Sequence, residues 1–239
     1  MSRLFIIRHG QASFMAENYD QLSKLGEKQS YLLGQYLAQK GWVFDSVYSG
    51  ALTRHRQTRE QTARAYAESG LHWPEQIEIP DFDEHHGPAV TAQAVPRLVQ
   101  EDPAFKAYVD EIDERKLSPG RRQMKLYRKI TQMWASGELE VEDQHHEPWA
   151  SFRARVGQAF QAVIDQNRKG KTIAIFTSGG PVAASVGYAL KLNPLQVLEL
   201  SWAVQNTGYA EFLFSEEGIS MQRFNSLAHL ADQKMWTFV

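Results

Sequence analysis

Arg8-His9-Gly10 is the tripeptide whose residue types best suit chemistry on an anion. Arg8 is a permanent cation for an oxyanion, His9 is both nucleophilic and largely neutral near pH 7, and Gly10 lets the backbone pass close to a bound group. A second candidate is Ser49-Gly50-Ala51-Leu52-Thr53-Arg54-His55-Arg56-Gln57-Thr58, with Arg54 about one turn into a helix. Two arginines and helix N-terminal amides form a clamp for a tetrahedral phosphoryl group. Arg56 and Arg59 read instead as a solvated basic face. The third candidate is Glu84, just past a strand and before Gly87, a carboxyl able to act as general acid where its site raises its pKa.

These residues need a frame that brings them to one edge. Leu4-Phe-Ile-Ile7 is a continuous apolar run, as expected of a strand buried on both faces of a parallel sheet, and ligands of such sheets collect at the carboxyl edge. Ser23 caps a helix carrying Tyr31, Leu32, Leu33, Tyr36 and Leu37, which ends at Gly41. Val43 to Tyr48 reads as a second strand and a helix follows through Arg54 to about Glu68. A third short strand, around Gln76 to Ile79, leads to Asp81-Phe82-Asp83-Glu84-His85-His86-Gly87-Pro88.

From about Ala89 to Pro148 the chain turns charged and helical around Phe105, Tyr108, Ile112, Leu126, Tyr127, Ile130 and Trp134. The alternating pattern then resumes with a helix over Trp149 to Asn167, a strand Thr172 to Phe176, the turn Thr177-Ser178-Gly179-Gly180 and a helix from near Pro181. Tyr209 to Phe214 and Ile219 to Phe224, joined at Glu216-Glu217-Gly218, read as an antiparallel hairpin. The pattern predicts an α/β protein: a three-layer α/β/α sandwich with a mostly parallel sheet and a closing antiparallel hairpin. It is expected to form a single domain over 1–239, with a helical cap insertion about 89–148 that packs on the core.

The 239 residues, 43% hydrophobic and 23% charged, are enough for one substantial core. A net charge of −2 gives no broad pull toward nucleic acid or an anionic membrane, so neither is an expected partner. With no cysteine there is no disulfide, thiolate zinc site or cysteine nucleophile. The chain lacks a signal-type start and any apolar run near the ~20 residues that span a bilayer, so it reads as cytoplasmic.

Taken in order, the motifs resemble those of the histidine phosphatase superfamily, the phosphoglycerate-mutase-like proteins. Arg8-His9-Gly10 is similar to the family signature, Leu22-Ser23 with Gly26 and Gln29 to its Leu-Thr, Gly and Gln positions, and Ser49 to Thr58 to its Ser-x-Leu-x-Arg-x-x-Gln-Thr stretch. Glu84 stands where the family's acid follows the third strand, and Asn206 where an asparagine precedes a late strand. The resemblance implies phosphomonoester hydrolysis through a phosphohistidine on His9, with Arg8 and Arg54 neutralising the phosphoryl oxygens. Glu84 would protonate the leaving alcohol and then activate water. It further implies substrate contacts from Ser178, Gly179, Ser23 and Gln11, no metal or cofactor, and a phosphorylated small molecule or phosphoprotein as substrate. Phosphatase is expected over mutase, because Gln-Ala-Ser-Phe-Met after Gly10 does not resemble the mutase Glu-Ser-x-Trp-Asn.

The chain departs from the family pattern at Ser178, which stands where the family carries a second histidine. A serine donates one hydrogen bond and carries no charge, so a rate loss of roughly 10²-fold is expected by analogy with a lost oxyanion donor. Neighbouring helical side chains point about 100° apart, so Arg54 and His55 are not both expected to face the phosphate. His85 or His86 could instead reach the pocket from the Glu84 loop. Two other readings stand beside hydrolysis by His9. One is a phosphate-site binding or regulatory protein without turnover. The other is a metal-dependent hydrolase using Asp81, Asp83, His85, His86, His145, His146 and Glu147, whose spacing fits poorly. Gly170-Lys171-Thr172 looks like the end of a P-loop but precedes its strand, which rules that reading out.

Overall fold

The computed structural model describes residues 1–13, 20–141 and 146–238. Among these, six strands form one sheet: β1 (Ser2–Arg8), β2 (Ser46–Ser49), β3 (Gln76–Glu78), β4 (Thr172–Thr177), β5 (Tyr209–Ser215) and β6 (Gly218–Ser226). Their order is β3-β2-β4-β1-β5-β6, parallel from β3 to β1 and antiparallel across β5 and β6. Leu4 to Ile7 are wholly buried because β1 is central, flanked by β4 and β5. Their unbroken apolar run is what a strand covered on both faces requires.

Five helices belong to the same unit as the sheet: α1 (Lys24–Gln39), α2 (Thr53–Glu68), most of α6 (Trp149–Gln166), α7 (Gly179–Leu190) and α8 (Pro194–Ala203). Leu33 and Leu37 of α1 and Tyr66 of α2 pack with Phe5, Ile7, Val47, Ala174, Phe176 and Tyr209 on one face of the sheet. Phe212 points to the opposite face, three residues along β5 from Tyr209, and there its ring lies 5.5 Å from that of Phe160 on α6. Helices therefore cover both faces. Ser23 caps α1, its side chain accepting from the Gly26 amide at 3.0 Å.

The chain divides into two compact units, 1–84 with 153–239, and 85–152. The second contains α3 (Gly87–Glu101), α4 (Pro103–Glu114) and α5 (Pro119–Ser136), which bury Phe105, Val109, Ile112, Leu126, Ile130 and Trp134. Among the described residues no helix is long and apolar enough to cross a membrane.

The clearest departures from expectation are two element starts and one helix. β2 begins at Ser46 rather than Val43, because its ladder with β4 starts at Ser46 opposite Ile173. Helix α7 begins at Gly179 rather than near Pro181, which puts Gly179 and Gly180 in its first turn. Helix α8 lies outside the expected pattern, although its capping box of Asn193 and Gln196 with Pro194 at the first turn is legible in sequence.

Candidate active site

Strand register collects the candidate residues. Arg8 pairs with Thr177, and Ser49 with Phe176, so β1, β4 and β2 end side by side. The His9 amide donates to Thr177 O at 2.7 Å and the Gly50 amide to Phe176 O at 3.0 Å. His9, Gly50 and Ser178 thus leave the sheet at one carboxyl edge.

His9 is fixed from several directions. Its carbonyl accepts from Asn206 Nδ2 at 3.1 Å and from the Thr207 amide at 3.2 Å. Its Nδ1 lies 2.6 Å from Gly10 O. A carbonyl only accepts, so the proton sits on Nδ1 and the Nε2 lone pair is available. Burial, with the nearby charges of Arg8 and Arg54, holds the imidazole well below its ordinary pKa and keeps it neutral. The loop after it is interlocked with α1: a Cβ on Gly10 would stand 2.4 Å from Gly26 O, and one on Gly26 2.1 Å from Gln11 O. Thr58 Oγ1 accepts from the Gly10 amide at 3.0 Å, and Gln57 Oε1 from the Leu22 amide at 2.7 Å. Gln57 and Thr58 therefore brace the His9 loop.

Arg54 is buried at the start of α2. Its Nη1 meets Asp20 Oδ1 at 2.8 Å and its Nη2 lies 3.4 Å from Ser178 Oγ. Asp20 also accepts from the Thr53 amide at 2.8 Å, and these contacts hold its carboxyl below its usual pKa despite partial burial. Nothing in the sequence ties Asp20 to Arg54, since the pairing is wholly tertiary. Arg8 is half-buried, and its guanidinium donates to Val204 O and to Phe238 O, both at 2.5 Å. Its Nε lies 3.6 Å from where a Gly179 Cβ would stand. Glu84 is held at the N-terminus of α7, where Oε2 accepts from the Gly180 amide at 3.1 Å. Ser23 and Gln11 meet each other, Ser23 Oγ donating to Gln11 Oε1 at 2.9 Å.

His55 lies beside the same hydroxyl as Arg54. It is fully buried and its Nε2 lies 2.7 Å from Ser178 Oγ, so Arg54 and His55 converge on one hydroxyl. In a helix every Cα–Cβ bond tilts toward the N-terminus. The bonds of Arg54 and His55 leave the helix about 100° apart, and it is the length of both side chains that brings their tips to one atom. The His55 ring centroid is 5.8 Å from that of His9, and Asp83 Oδ1 lies 3.5 Å from His55 Nδ1.

Arg59 corrects a sequence expectation. It is buried and donates to Ser49 Oγ at 2.9 Å, whereas Arg56 lies exposed against Glu78 as expected. His85 is enclosed within the helical unit by Trp134, Trp149 and Phe152, with ring centroids 5.1–5.4 Å away, and its Nδ1 accepts from the Gly87 amide. The His86 ring stands 5.8 Å from that of His146. Among the described residues no three His, Asp or Glu side chains gather as a metal site; His145 lies outside them.

Comparison with known proteins gives matches in family, sequence and fold. The family model described as the histidine phosphatase superfamily (branch 1) matches residues 4–103 and 88–227. The broad-specificity phosphatase YOR283W of Saccharomyces cerevisiae is 44% identical over 62 residues, 23% of this chain and 27% of that protein. The chain thus matches about a quarter of that relative's length. Among solved structures, phosphoglycerate mutase from Bacillus anthracis is similar at a TM-score of 0.65 and 15% identity, covering 98% of this chain and 96% of that one. Phosphoserine phosphatase from Entamoeba histolytica, in complex with 3-phosphoglyceric acid, gives 0.63 and 21%, covering 96% and 100%. Mycobacterial glucosyl-3-phosphoglycerate phosphatase gives 0.61 and 16%, covering 94% and 98%. At these identities the three structures speak for the fold.

Proposed function

Because the chain belongs to the histidine phosphatase superfamily (branch 1), we propose that it hydrolyses phosphomonoesters through a phosphohistidine formed on His9. The observation that carries this reading is a neutral His9 whose Nδ1 proton is held by Gly10 O while Arg8 and Arg54 stand nearby. Nε2 attacks phosphorus in line as the bond to the leaving oxygen breaks, and the two guanidinium groups offset charge on the phosphoryl oxygens. Glu84 gives its proton to the leaving alcohol. It then takes one from the water that attacks the phosphohistidine, which returns His9 and releases phosphate. Ser178, the Gly179 amide, Ser23 and Gln11 contact the substrate.

The substrate class we propose is a small phosphorylated metabolite, in keeping with the phosphatases of phosphoserine and glucosyl-3-phosphoglycerate that share the fold. On the same reading, the chain is a single phosphatase domain with a helical insertion about residues 89–148. The test is hydrolysis of a phosphomonoester panel in chelator, with trapping of the enzyme by a ³²P-labelled ester quenched in alkaline detergent. The expected adduct is acid-labile, alkali-stable and absent from His9→Ala. Turnover that survives His9→Ala, or disappears with chelator, would overturn the proposal.

A further inference from the structure

We propose that His55 is a positioning residue of this site, acting on the bound phosphoryl group through the Ser178 hydroxyl. The inference rests on the phosphatase reading above, which places a phosphoryl oxygen beside Arg54 and Ser178. His55 has no part in the attack or proton-transfer steps of that reading, yet it is wholly buried and its Nε2 is 2.7 Å from Ser178 Oγ. Asp83 backs the other ring nitrogen at 3.5 Å, and its own Oδ1 is fixed by the Ala51 amide at 2.7 Å. Gly50 makes this fit possible: a Cβ there would stand 2.4 Å from His55 Nδ1 and 2.5 Å from Asp83 Oδ1.

The charged and titratable groups that face His55 are Arg54 beside it, Asp83 and Glu84 from the loop after β3, and His9 from the end of β1. Burial, its largest influence, lowers the ring's pKa and Asp83 opposes it. Without ligand the ring is neutral, and the Asp83 carboxylate favours the proton on Nδ1. Nε2 then accepts the only hydrogen of Ser178, and Arg54 Nη2 approaches the same oxygen at 3.4 Å. The hydroxyl in that state has no hydrogen for an anion.

A phosphoryl dianion reverses the balance. Its negative charge favours imidazolium, so His55 takes one proton from solvent and Nε2–H donates to Ser178 Oγ. The hydroxyl turns and donates to a phosphoryl oxygen. No covalent bond changes. The cation is thus relayed to the phosphoryl group across one hydroxyl, and Ser178 becomes a donor only when the site is filled.

Two measurements test this. Imidazole resonances of the wild-type protein are followed against pH with and without inorganic phosphate. Phosphate is expected to raise the His55 titration midpoint by one unit or more. A midpoint unmoved while His9 resonances respond would overturn the relay and leave the phosphatase reading standing; no response from either histidine would overturn both. The second measurement is a kinetic cycle of His55→Gln, Ser178→Ala and the double variant. Groups in series predict a loss of about 10²-fold in kcat/KM for each single variant and no further loss for the double. His55→Gln should also lose the decline in rate that His55 deprotonation imposes at high pH. Losses that multiply toward 10⁴-fold, or an unchanged pH profile, would overturn the relay.

Discussion

His9 is held by its backbone as firmly as by its ring. Its amide bonds to β4, its carbonyl to Asn206 and Thr207, and the next residue is pressed against α1 with no space for a side chain. Gly10→Ala would drive a methyl group into Gly26 O, a backbone atom that moves only if α1 moves. The expected cost is about 1–3 kcal/mol, read as a fall in urea midpoint with little change in slope. Asp20 is a different kind of neighbour, a carboxylate that already occupies Arg54 Nη1. An arriving anion competes with it for that guanidinium. Asp20→Asn is therefore expected to tighten inorganic phosphate binding several-fold, measured by calorimetry at fixed ionic strength.

At the scale of elements, the starts of α1 and α2 are secured in opposite ways. Ser23 caps α1 locally, and Ser23→Ala is expected to cost about 1 kcal/mol, seen as a lower Tm. Helix α2 has Leu52 at its N-cap position and no local cap, so its first amides are served by Asp20 and the preceding amides by Asp83. Asp83→Ala should destabilise by about 1–3 kcal/mol through the orphaned Ala51 and Leu52 amides. The same contrast explains what was legible in the sequence. The β1 run, the Ser23 cap, the hairpin turn at Gly218 and the ordered motifs are local, and each reads directly from neighbouring residues. The partners of Arg54, the burial of Arg59 and the convergence of His55 on Ser178 depend on register between elements far apart in sequence. The roughly 100° spacing of adjacent helical residues describes where their Cα–Cβ bonds leave the helix and not where long side chains such as Arg54 and His55 end.

Across the whole molecule, buried histidines set the response to acid. His9, His55 and His229 all have pKa values pushed below 6.5 by burial, that of His229 to about 3. Such a group binds protons more readily unfolded than folded. Stability is therefore full above about pH 6.5 and falls as pH drops through 6.5 toward the folded values. Urea midpoints at pH 7.5 and pH 5 should differ accordingly, and His229→Gln should shrink that difference. Equal midpoints in wild type would contradict the linkage.

The central place of β1 bears on how the protein is made. The strand is translated well before its partners β4 and β5, which are encoded beyond residue 170. At about 5–20 residues per second, Leu4 to Ile7 wait roughly 10–30 s for their partner strands. For that interval an apolar strand of the core is an open edge on a nascent chain, able to pair with other chains before it holds the centre of its own sheet.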